Sequence, residues 1–169
     1  DNHTVKVSAA TNPVVFSYNI APNVTNNQTN GGGTQTIQAP DITLSTSSVA
    51  ADTIYQGTNT NIVSITKMKV TTANVNVTNI QYTLSGNHDA DDLTYTSVYY
   101  NTTPDLTGAS YLGQTTAPYA APHLYSINIY KPMTAGTTGY FIVTVNVNTS
   151  ATDNHTVKVS AATNPVVFS

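Results

Sequence analysis

Apolar residues recur at every second position through most of this chain, the period of a β-strand with one buried face. Phe141, Val143, Val145 and Val147 make the clearest such face, and the Ala135–Gly139 turn (AGTTG) leads into it. Tyr125, Ile127 and Ile129 predict a strand ended by Lys131-Pro132. Val157, Val159 and Ala161 alternate with Thr156, Lys158 and Ser160, so that strand has one apolar and one polar face. Shorter strands are expected at Ile42 to Leu44, Leu93 to Tyr100 and Ser110 to Gln114. No stretch carries the 3.6-residue period of an amphipathic helix, so the predicted class is all-β.

Two segments change parity part-way. Val63 and Ile65 lie on odd positions but Met68 and Val70 on even ones, and Val75 and Val77 are odd while Ile80, Tyr82 and Leu84 are even. One inserted residue restores the apolar side to the core, so the pattern predicts long strands over 61–71 and 74–85, bulged near Thr66–Lys67 and Thr78–Asn79. With Thr71-Thr72-Ala73 as the turn, they would pair as a hairpin.

The ends of the chain are the same sequence. Asp1–Ser17 and Asp153–Ser169 both read DNHTVKVSAATNPVVFS, an offset of 152 residues. A repeat of that period is the size of a domain and marks tandem domains rather than short solenoid units. The expected division is a terminal strand and junction of a preceding repeat at 1–17, an inter-repeat linker at 18–40 around Gly31-Gly32-Gly33, a sandwich at 41–161, and the start of the next junction at 162–169.

Composition narrows the function. Only 8% of residues are charged, against about 25% in a typical domain, and polarity comes instead from Thr and Asn, about 50 of the 169 residues. Every base is Lys and every acid Asp, with a net charge of −3. Without Arg or a basic surplus, nucleic acid is not an expected partner. With no Cys, disulfides, thiolate zinc sites and cysteine nucleophiles are excluded. No apolar stretch approaches the ~20 residues of a membrane span.

The succession TTANVNVTNIQYTLSG, DADDLTYTSVYYNTT, LGQTTA and AGTTGYFIVTVNV, ending in DNHTVKVSAA, resembles the immunoglobulin-like repeats of large bacterial surface adhesins and other secreted multidomain proteins. The resemblance covers roughly 41–161. It implies an exported, cell-surface array used for attachment or as a fibre; about eight strands with irregular turns between them independently suit an immunoglobulin-like β-sandwich, with a barrel as the lesser option.

Candidate chemistry is sparse. Gly86-Asn87-His88-Asp89 matches one block of the metallophosphoesterases, but the DxH and GDxxD blocks are missing from the chain, so it reads as a turn. The loop holding Asn87, Asp89, Asp91 and Asp92 gathers hard oxygen ligands suited to a structural calcium ion, without EF-hand spacing. His3, His88, His123 and His155 show no close metal spacing, and no GxSxG elbow occurs, so no enzyme is expected. Tyr95, Tyr99, Tyr100, Tyr111, Tyr119, Tyr125 and Tyr130 raise the alternative of a glycan-binding or protein-binding module. The leading expectation is a stalk or fibre module whose partners are neighbouring copies. Val5 and Val7, with their counterparts Val157 and Val159, would form the assembly strand.

Overall fold

A computed structural model describes residues 3–6, 34–37, 41–115, 120–160 and 165–168. The chain divides into two compact units, Asp1–Ala39 and Pro40–Ser169. In the first, β1 (His3–Lys6) pairs antiparallel with β2 (Thr34–Ile37), setting Val5 opposite Gln35. The strand at 34–37 falls within the stretch expected to be a linker, and all four of its residues are exposed. Val7 and the apolar run at 13–18 lie outside the described residues.

The second unit is a sandwich of two antiparallel sheets, and the described residues contain no α-helix. One sheet has the order β3 (Ile42–Ser47), β4 (Asn61–Val70), β9 (Thr138–Val147), β6 (Leu93–Asn101), β7 (Ser110–Thr115). In the other, β5 (Val75–Gly86) is central. It pairs on one side with β8 (His123–Met133) and on the other with β10 (Val157–Ser160) and β11 (Val166–Phe168) in succession.

The core is what the alternation requires. Met68, Val70, Val98, Phe141, Val143 and Val145 from the first sheet meet Val75, Val77, Ile80, Tyr82, Leu84, Tyr125 and Ile127 from the second. Tyr82 stacks on Tyr125, with centroids 5.4 Å apart, and its hydroxyl bonds that of Thr96 across the sandwich. Gly139 leaves room for the Tyr100 ring, which a Cβ would meet at 2.3 Å; the ring sits edge-on to Phe141 and beneath the Lys131 ammonium.

The expected hairpin does not form. β4 pairs with β3 and β9, whereas β5 pairs with β8, β10 and β11, so 71–74 is a corner between sheets. The corner is pinned by the Asp41 amide donating to Thr72 Oγ1 at 2.7 Å, and by the Val70 amide and carbonyl bonding Thr137 and Gly136 in the turn after β8. Alternation names each strand's inner face but not its sheet, because a hairpin and a corner leave the same pattern.

The parity change at Thr78–Asn79 is observed as a register shift of β5 against both β8 and β11. That expected at Thr66–Lys67 lies earlier, between Ile62 and Ser64. Val63 packs against the core, while Ile65 pairs with Ile142, and both isoleucines are buried outside the central cluster. Lys131-Pro132 does not end β8, because it runs along the side of β5 at the sheet's edge, where Pro132 opposite Asn76 costs no interior ladder bond.

Candidate functional site

The duplicated segment enters the sandwich where its C-terminal copy lies along β5. Val157 stands opposite Gly86, Lys158 opposite Ser85, Val159 opposite Leu84 and Ser160 opposite Thr83. Val157 and Val159 turn inward onto the core, and Lys158 and Ser160 are exposed, as the alternation requires. Further along the same edge Val166 faces Ile80 and is 6% exposed, and the Gln81 amide donates to the Pro165 carbonyl at 3.0 Å. Residues 165–168, expected to open the next junction, are therefore part of this sandwich.

Gly86 fits the start of β10. Its φ is +119°, and a Cβ there would stand 2.1 Å from the Thr156 carbonyl oxygen, so only glycine permits the approach. Beside it, Asn87 Oδ1 accepts both the Thr156 amide and the Thr156 hydroxyl at 2.7 Å, while the Asn87 amide donates to the Thr156 carbonyl at 3.2 Å. Asn87, expected as an ion ligand, thus serves as a clamp on the incoming strand.

Asp92 is the second anchor. It ends a single 3-10 turn, Ala90–Asp92, whose capping box is closed by the Asp89 amide donating to Asp92 Oδ2 at 2.7 Å. The same oxygen accepts His155 Nδ1–H at 2.6 Å, and Oδ1 accepts the Thr152 amide at 2.6 Å. The Asn148 amide donates to the Asp92 carbonyl at 2.8 Å. Asp92 therefore holds the 148–156 connection that delivers β10 to β5 at three points, Asn148 through its backbone carbonyl and Thr152 and His155 through its buried carboxylate. Burial alone would raise its pKa, but the bonds from His155, Thr152 and Asp89 outweigh it and bring Asp92 down to about 2. Gln56 adds a clasp, its amide nitrogen donating to the Ala151 carbonyl at 2.5 Å.

Of the four residues expected to bind calcium, the fold brings together Asp89 and Asp92 and adds His155, with one ligand atom from each within 4.8 Å of the others. Asp91 is exposed and outside the group. Both Asp92 oxygens already accept protein donors, two at Oδ2 and one at Oδ1, so an ion would compete with them for the carboxylate. His155 was not expected here because 63 residues separate it from Asp92, and only the fold closes that distance. His88 is buried at 3% exposure, and its ring nitrogens have no hydrogen-bond partner among the described residues.

The tyrosines do not form one platform. Tyr125 is buried on Tyr82, Tyr100 packs at the core, and Tyr130 is 71% exposed on the edge strand β8. Tyr99 and Tyr111 pair across β6 and β7 with centroids 5.6 Å apart; Tyr119 lies outside the described residues. A cleft of about 360 Å³ opens between the sheets beside β3 and β10, lined by Leu44, Thr66, Tyr82, Phe141 and Val159 among others. Among the described residues no helix is long and apolar enough to cross a membrane. No protein-family description, curated protein or solved structure matches this chain.

Proposed function

We propose that this chain is a structural module: a stalk or fibre unit of a secreted, cell-surface adhesin or extracellular filament, built on an immunoglobulin-like β-sandwich and joined end to end through its 17-residue segment. One observation carries this reading. The C-terminal copy of the duplicated segment is the edge of a sheet, seated by Gly86, Asn87 and Asp92, so the duplication repeats an element that completes a sandwich. Polar Thr and Asn in place of charge, and the 152-residue period, suit a module repeated many times. Electron microscopy of a chain carrying several consecutive periods tests it. Evenly spaced beads in an extended row are expected; a single fused globule would contradict the proposal.

A second reading, a glycan-binding or protein-binding module on the same fold, has one observation in its favour. Tyr111 is 53% exposed and meets Tyr99 edge to face. Stacked sugars would need such a surface. Glycan-array binding abolished by Tyr111→Ala supports this reading, and an inert chain excludes a glycan ligand.

A further inference from the structure

We infer that the slot along β5 accepts the N-terminal copy of the segment, residues 1–17, from a second molecule, in the register now held by 153–169, so that chains link head to tail by exchanging this strand. The inference rests on the proposed assembly role and names its partner: a second copy of this chain.

Every side chain that the slot reads in 153–169 recurs at 1–17: His155 as His3, Thr156 as Thr4, Val157 as Val5, Val159 as Val7, Pro165 as Pro13 and Val166 as Val14. A visiting segment would set Val5 opposite Gly86, Val7 opposite Leu84 and Ser8 opposite Thr83, and would offer His3 to Asp92, because the resident pairs are Val157–Gly86, Val159–Leu84, Ser160–Thr83 and His155–Asp92. Within the repeated segment the slot cannot distinguish the copies by contact, so the resident is favoured by its tether and by the bonds at Asn148, Ala151 and Thr152 that precede the repeat. The resident copy follows β9 through a short connection, which gives it an effective concentration on the order of millimolar. At micromolar chain concentrations the visitor therefore occupies roughly a few per cent of slots or less. Anything that weakens the resident alone shifts occupancy to the visitor, whose own contacts are untouched.

The full chain provides the test. Val157→Asp with Val159→Asp unseats only the resident copy. At about 100 μM, sedimentation should then show head-to-tail oligomers in most of the material, from roughly a tenth or less in the parent. Adding Val5→Asp and Val7→Asp should return the chain to monomer, whereas those two changes alone should leave it monomeric and folded. Cross-linking keeps the test decisive should the unseated variant fail to fold. In a chain with no cysteine of its own, Ser8→Cys with Thr83→Cys, refolded from urea at about 100 μM under oxidising conditions, should give a ladder of disulfide-linked multimers. The out-of-register pair Ser8→Cys with Gln81→Cys should give at least tenfold less. A ladder no stronger than that control, or an 8–83 link found only within single chains, overturns the inference. Neither outcome touches the beaded-array test, because covalent tandem linkage does not need exchange.

Discussion

Replacing Asp92 with Asn removes the charge that ties the 148–156 connection to the sandwich while keeping its shape. The magnitude follows from how far the fold favours the ionised form. Asp92 lies at about 2 in the folded protein against an ordinary 3.8, a difference on the order of 2 kcal/mol of stability. Because the folded value is the lower one, this stabilisation is fully present above pH 3.8 and fades as the pH falls towards about 2. Asp92→Asn should therefore cost about 2–3 kcal/mol near neutrality, and the gap between variant and parent should close through that acid window. The assay is urea unfolding of both proteins at a series of pH values, with the β10 amides followed separately by hydrogen exchange. A gap that stays constant across the window, or a variant as stable as the parent at neutral pH, would refute the role given to Asp92.

Three further outcomes follow from the same structure. Gly86→Ala should destabilise by about 1–3 kcal/mol through its positive φ and its clash with the Thr156 carbonyl, and hydrogen exchange should show faster opening first at 157–160. Tyr82→Phe should cost about 1–2 kcal/mol, read by urea unfolding, because it strands the fully buried Thr96 hydroxyl. Adding calcium or a chelator should leave the melting temperature unchanged, since the Asp92 oxygens are engaged by Thr152, Asp89 and His155; a rise of several degrees with calcium would show that those donors yield to an ion.

Strand identity was largely legible in the sequence, and strand neighbours were not. Phe141, Val143 and Val145 lie in the core, and the parity change at Thr78–Asn79 is a real slip in the ladder. The alternation misled where an apolar residue faces away from the core and is still buried: Ile65, opposite Ile142, reads as an inward residue and moved the expected bulge from Val63 to Thr66. Pairing is non-local, so nothing within 61–85 shows that its two strands belong to different sheets. The site was half legible for the same reason. The loop from Asn87 to Asp92 was visible as a cluster of oxygens, but its partners, Thr152, His155 and Thr156, come from the far end of the chain. The repeat marked that end as important, but the carboxylate pattern alone gave no sign that Asp92 would also anchor the repeated strand through Thr152 and His155.

The two copies share a sequence and hence nearly the same intrinsic exchange chemistry, which makes residue-resolved amide hydrogen exchange on dilute monomer the most direct test of that anchoring. The paired amides of 157–160 should be strongly protected, while the corresponding ones near 3–6, in a two-stranded ribbon of four residue pairs, should exchange orders of magnitude faster. Equal protection of the two copies, or fast exchange at 157–160, would contradict the account.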